Sequence, residues 1–181
     1  MSALTPDKRA RLINALGEAQ RIGMLGDRSL DEVVDHSMGF VDAIPVEART
    51  LIDLGSGGGD PGFLIAMARP ELEITLVDRR AKRTDLLVRL AGRLGLGDRL
   101  EVLEADVEGL VTRFPGRRWD VATSRGFGPP EYTARLGAPL LGPAGLLLVS
   151  EPPQTDGSRW SRIPEVEFRE IVAGVAVLRC R

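Results

Sequence analysis

From Thr50 onward the apolar positions of the chain switch between two periods. Runs of five or six mostly apolar residues, Thr50–Leu54, Glu73–Asp78, Leu100–Ala105, Trp119–Ser124 and Gly145–Ser150, are candidate strands. Between them lie Pro61–Arg69, Arg80–Gly95, Val107–Arg113 and Glu131–Leu141, which read as helices. Short apolar strands alternating with amphipathic helices predict a parallel sheet covered on both faces. The end of the chain breaks this alternation. Val166–Ala173 and Gly174–Arg181 read as two strands around Gly174, an antiparallel hairpin that closes the sheet. Two helices precede the alternation. Pro6 to about Ile22 carries Leu12, Ile13, Leu16 and Ala19 at helical spacing. A second helix is expected over Ser29–Ala43, opened by the capping-box run Ser29-Leu30-Asp31-Glu32 and stopping before Pro45.

These elements predict an α/β, Rossmann-like fold with a mostly parallel sheet, a C-terminal antiparallel hairpin and two extra N-terminal helices. A length of 181 residues suits a single domain spanning 1–181, with 1–45 as a helical extension and 46–181 as the core. No apolar run approaches the roughly 18 residues that would span a bilayer. The polar stretch Met1–Arg11 does not read as a signal peptide. With one cysteine, Cys180, no intrachain disulfide can form and no metal site is expected; a reducing cytoplasm is the natural compartment. The net charge of −2 hides a strong asymmetry. Residues 27–53 carry seven acids against two arginines, and residues 79–99 carry seven bases against two aspartates. A molecule so polarised can present one positive face.

The first strand runs into Asp53-Leu54-Gly55-Ser56-Gly57-Gly58-Gly59-Asp60-Pro61-Gly62. Ligands of open α/β sheets sit beyond the carboxyl ends of the strands, where glycine lets the backbone come close. A dinucleotide fingerprint requires glycine at 55, 57 and 60, but position 60 is aspartate. A carboxylate there opposes a pyrophosphate resting on the helix N-terminus. S-adenosylmethionine carries no phosphate and is the favoured cofactor, held by Gly55, Gly57 and Gly59. Asp60 itself is expected to cap the next helix, with Pro61 at the first helical position. Asp78 ends the second strand 23 residues after Gly55, where a carboxylate can accept hydrogen bonds from both ribose hydroxyls.

The glycine run, Leu76-Val77-Asp78, Lys82-Arg83 and Thr123-Ser124-Arg125-Gly126-Phe127 resemble the RsmG (GidB) family over about residues 25–150. That resemblance implies a class I methyltransferase with a seven-stranded sheet, transferring a methyl group from S-adenosyl-L-methionine to N7 of a guanine in 16S rRNA of the small ribosomal subunit. It implies a cofactor pocket built from Gly55, Ser56, Gly57, Gly59, the Asp60 position, Asp78, Asp106, Val107, Glu108 and Arg125. It also matches His36 to the family's helical histidine, making Arg125 and His36 the candidate catalytic residues. The chain departs from the pattern in three places. Asp60 replaces an apolar residue, Gly39 and Phe40 replace Asp-Ser after the histidine, and Glu151 stands where the family has a lysine after strand five. The family's N-terminal tryptophan-and-asparagine segment is also missing from the sequence. Each change removes positive charge or polar contacts from the RNA side.

Guanine N7 offers a free lone pair at neutral pH, so methyl transfer to it rests on proximity and orientation without a dedicated base. No acid–base dyad follows strand four. Arg125 there can bind the guanine edge, bind the cofactor carboxylate, or form a salt bridge at the strand end; an arginine on N7 would block the acceptor, which favours a positioning role. His36 can equally be a packed helix residue. Arg79, Arg80, Lys82 and Arg83 crowd a helix N-terminus, where the macrodipole disfavours cations. They fit either an RNA phosphate contact or a solvated arginine-rich surface. Gly128-Pro129-Pro130 lacks the polar acceptor that an amino-group methyltransferase loop needs and reads as a helix start. Methylation of a small molecule or another acceptor, and cofactor binding without turnover, are the alternative functions; a nicotinamide oxidoreductase is least compatible with Asp60.

Overall fold

The computed structural model describes residues 4–181; the first three residues of the polar N-terminal stretch lie outside it. The helices are α1 (Pro6–Arg21), α2 (Leu30–Ala43), α3 (Gly62–Ala68), α4 (Ala81–Leu94), α5 (Leu110–Arg113) and α6 (Pro130–Gly137). The strands are β1 (Thr50–Leu54), β2 (Glu73–Asp78), β3 (Leu100–Glu104), β4 (Trp119–Ser124), β5 (Leu141–Ser150), β6 (Val166–Val172) and β7 (Val175–Cys180). They form one seven-stranded sheet in the order β3-β2-β1-β4-β5-β7-β6, with the first five strands parallel. The last two form the expected hairpin and pair antiparallel to β5 and to each other. Its two-residue turn places Ala173 and Gly174 at φ +44° and +80°, the left-handed backbone that matches the twist of flanking strands.

Successive side chains of each strand point to opposite faces, so the sheet builds two cores. Leu51, Ile74, Leu76, Val121 and Leu148 join α1–α4 on one side. Ile52, Leu54, Val77, Ala122 and Leu147 join α6, Leu110, Trp160 and Ile163 on the other. The N-terminal helices share the first core, with Leu12, Leu16, Val34 and Phe40 fully buried. Helix α2 also lies tightly on the hairpin. A Cβ on Gly39 would come within 2.5 Å of the Ala173 carbonyl oxygen and 3.2 Å of Val175 Cγ2, so glycine at this position is a packing requirement. This corrects the reading of Gly39 as a lost contact on the RNA side.

Two caps differ from expectation. Ser29 sits at the N-cap of α2 but its hydroxyl makes no capping bond, so no capping box forms. Helix α3 starts at Gly62, after Pro61, and Asp60 does not cap it. A different polar anchor ties the helical extension to the sheet. Buried Arg69, just after α3, donates to the carbonyls of Ile44 and Pro45, each at 2.9 Å, and pairs with Glu71. Arg69→Met keeps the aliphatic stem but strands two carbonyls; it is expected to lower stability by about 2–3 kcal/mol in urea unfolding. A loss below about 0.5 kcal/mol would contradict this anchoring.

Candidate active site

The sheet order turns at β1, with β2 on one side and β4 on the other, which opens a crevice beyond their carboxyl ends. One half of that crevice, about 360 Å³, is lined by Gly55, Asp78, Arg83, Asp106, Val107, Phe127 and Tyr132, among others. A second half, about 430 Å³, runs beneath the α1–α2 connection and is lined by Met24, Arg28, the loop Gly55–Gly58, Asp60, Arg125 and Ser150. Gly55, Arg83 and Gly126 belong to both.

The glycines divide into two kinds. Gly55 and Gly57 have φ of +68° and +54° and face the crevice. Gly59 faces inward, where a Cβ would meet the Phe63 ring at 2.2 Å. It serves close packing of the loop on α3 and corrects the expectation of a direct cofactor contact. Ser56 stitches the loop to the sheet, donating to the Asp53 carbonyl at 2.9 Å and accepting from the Val77 amide at 3.1 Å.

Asp78 stands at the end of β2 as expected, and its buried carboxylate is already engaged. The Gly57 amide donates to Oδ2 at 3.1 Å, the Arg80 amide to Oδ1 at 3.0 Å, and Arg83 Nη1 to Oδ2 at 3.2 Å. The two amides leave acceptor capacity for a diol, whereas Arg83 lies across it. Arg83 is therefore an internal partner of Asp78 rather than a free cation of the arginine cluster, which corrects its expected role as an RNA contact. Arg79, Arg80 and Lys82 are exposed beside it.

Asp60 and Arg125, 65 residues apart, form an ion pair at the floor of the second half. The Asp60 side chain is 1% exposed and that of Arg125 is 18% exposed. Arg125 Nη1 also donates to Ser37 Oγ at 2.6 Å. Burial pushes the Asp60 carboxyl above its ordinary value, against the opposing pull of Arg125 and Ser37. Of the readings for Arg125, the salt bridge at the strand end is what the geometry shows. Asp53 lies behind the pair. Its Oδ1 accepts from Thr123 at 2.7 Å, and burial, reinforced by Asp60 and Asp78, pushes its carboxyl up to about 6. Asp53 Oδ2, Asp60 Oδ1 and Ser124 Oγ are buried without a hydrogen-bond partner.

His36 is drawn away from this chemistry. Its Nε2 lies 3.0 Å from Ser150 Oγ, its ring packs against Gly174, and it lines neither half of the crevice. Burial lowers its basicity, helped by Arg125 and Arg28. It joins α2 to the end of β5, and the packed reading replaces the catalytic one. Glu108 is corrected too, because its exposed side chain pairs with Arg135 while only the preceding Asp106 and Val107 reach the crevice. Glu151 turns inward, 0% exposed, and accepts from Trp160 Nε1 at 2.8 Å, Thr155 Oγ1 at 2.9 Å and Arg159. It holds the 151–160 loop and adds no negative charge to the rim. Sequence spacing had no signal for Phe127, whose ring would lie 2.7 Å from a Cβ on Gly55, or for Tyr132 stacked near it at 5.5 Å.

Among the described residues, no helix is long and apolar enough to cross a membrane, and no cluster of three or more His, Cys, Asp or Glu residues is placed to hold a metal ion.

This architecture, with its glycine turn and strand-end acid, is that of the class I S-adenosylmethionine-dependent methyltransferases. The cofactor-bound protein Rv0187 from MTB matches it with a TM-score of 0.67 at 16% identity, over 95% of this chain and 90% of that one. The SAH-bound Podospora anserina methyltransferase PaMTH1 matches with a TM-score of 0.64 at 14% identity, over 99% and 90%. The chain belongs to the GidB family, rRNA small subunit methyltransferase G, whose profile matches residues 10–154. The ribosomal RNA small subunit methyltransferase G of Nocardioides sp. is 40% identical over 130 residues, 70% of this chain and 50% of that protein. Its counterpart in Frankia casuarinae is 32% identical over 130 residues, 70% and 49%. The chain spans about half the length of these curated relatives.

Proposed function

We propose that this chain, acting as one domain with its N-terminal helices included, binds S-adenosyl-L-methionine in the crevice and transfers its methyl group to N7 of a guanine in 16S rRNA, in the cytoplasm. The observation that carries the cofactor reading is the divided crevice. One half offers the Asp78 carboxylate, seated on two backbone amides, with Val107 and Phe127 beside it. The other offers a glycine turn and a buried charged pair. Together these suit a nucleoside with a polar tail and no phosphate. The bound cofactor supplies a methyl group on a cationic sulfur.

The protein's own residues then have positioning roles. Asp78 accepts the ribose hydroxyls once Arg83 swings aside, and the glycine turn admits the ligand against its backbone. Asp106 and Val107 flank the nucleoside half. No side chain of the crevice is required as a proton acceptor, because N7 carries its lone pair free. Family membership supports the RNA substrate, and exposed Arg79, Arg80 and Lys82 at the rim suit its phosphates.

The test is methyl incorporation from labelled S-adenosylmethionine into small subunits that lack the modification. Incorporation at a guanine N7, weakening steeply with added salt, is the expected result. Asp78→Ala should reduce it at least about 100-fold, through loss of charge-assisted ribose contacts. Cofactor binding with no incorporation into these subunits would overturn the RNA reading.

A further inference from the structure

The Asp60–Arg125 pair has a property that a purely structural ion pair does not need. Buried carboxylates find partners for both oxygens, because an unpaired one forfeits its solvation. Here Oδ2 is held by Arg125, while Oδ1 is buried with no partner. Arg125 is half spent as well, since its recorded bonds to Asp60 and Ser37 both run through Nη1 and leave its other N–H groups without protein acceptors. Both residues line the second half of the crevice, alongside the Gly55–Gly58 turn. That half therefore presents an unmet acceptor and unmet donors side by side, at its floor and out of bulk water.

We infer that Asp60 and Arg125 form a subsite for an α-amino acid zwitterion, in which Asp60 Oδ1 accepts from the ammonium and Arg125 donates to the carboxylate. The inference rests on the S-adenosylmethionine reading and assigns the amino acid end of that ligand to this pair. A lone anion would find Arg125 but meet Asp60 beside it, and a lone cation would meet the reverse. Only a ligand bearing both charges on adjacent atoms satisfies both residues at once. In its absence the two side chains neutralise each other. Ser37 on α2 holds the guanidinium in place, which links the grip on the ligand's tail to the N-terminal helices. Asp60 is an acid that the pattern this chain resembles does not contain, so the subsite is a feature of this chain.

The test is calorimetric titration of the full chain with three ligands: adenosylhomocysteine, its deaminated analogue, and 5′-methylthioadenosine, which keeps the nucleoside and sulfur but has no amino acid. Wild type is expected to bind adenosylhomocysteine about 10–100-fold tighter than the deaminated analogue, the scale of one charge-assisted hydrogen bond in a desolvated site. In Asp60→Asn that preference should shrink below about 3-fold, while 5′-methylthioadenosine binds as it does to wild type. Such a cycle reads the contact itself, which a general loosening of the fold would not reproduce. If Asp60→Asn does not fold, the wild-type comparison of the ligands still decides. Equal binding of adenosylhomocysteine and the deaminated analogue by wild type overturns the subsite and leaves the cofactor reading intact. Failure of wild type to bind any of the three ligands overturns both.

Discussion

Gly59→Ala is expected to destabilise the protein by about 3–4 kcal/mol, measured by urea unfolding at neutral pH. Gly59 has φ +99°, where an L side chain is strained, and the new methyl carbon would sit 2.2 and 2.3 Å from Cδ2 and Cε2 of Phe63. Phe63 and Leu87, the next nearest neighbour, are fully buried, so neither ring nor methyl group has space to yield. Gly57→Ala is the internal control. Its φ is +54°, in the left-handed helical well, and nothing lies within 3.7 Å of the added carbon. It should lose only about 1–2 kcal/mol. Equal losses at both positions would show that the loop yields as a whole and that the contact with Phe63 does not decide its shape.

Asp53→Asn is expected to change how stability depends on pH. The Asp53 carboxyl is buried and pushed from 3.8 up to about 6, so the folded state favours its protonated form. A group of this kind contributes stability that is fully present below pH 3.8 and is lost as pH rises through about 6. A rise of about two pH units corresponds to about 3 kcal/mol withdrawn between acid and neutral pH. Asparagine can still accept from Thr123 and carries no charge near Asp60 and Asp78. The variant should therefore gain on wild type by about 2–3 kcal/mol between pH 4 and pH 7.5, in paired urea titrations. The comparison is made as a difference because two neighbours also titrate. Asp60, raised, acts in the same direction as Asp53. His36, lowered, acts oppositely: its share is present above pH 6.5 and is lost as pH falls through its folded value. A stability difference between wild type and variant that stays flat across this range would show that Asp53 is not held neutral by its surroundings.

Three acids at the head of the sheet illustrate how a parallel fold concentrates charge. Asp53 ends its run beside Leu76 and Thr123 in register, and Asp78 leaves β2 one strand away. Asp60 returns toward them from the far side of the glycine turn. Each is stabilised differently, by Thr123, by two backbone amides with Arg83, and by Arg125. The unpartnered oxygens of Asp53 and Asp60 show that these provisions are incomplete within the protein alone.

The elements themselves were written in the chain. Five apolar runs alternating with amphipathic helices, the turn at Gly174, the glycine loop and Asp78 after the second strand all follow from local periodicity and fixed spacing. Such signals survive in sequence because a strand's two-residue period and a helix's 3.6-residue period act over a few neighbouring residues. Residue partnerships were decided only by the tertiary structure. Asp60 reads locally as a helix cap until β4 is laid beside β1 and brings Arg125 to it. Arg83 reads as one more surface cation until α4 folds back over the end of β2. Gly39, Glu151 and His36 read as site residues until the β6–β7 hairpin and the 151–160 loop close around them. A charge takes its role from whatever faces it, and those facing groups lie 5 to 114 residues away in the chain, joined only by the sheet order.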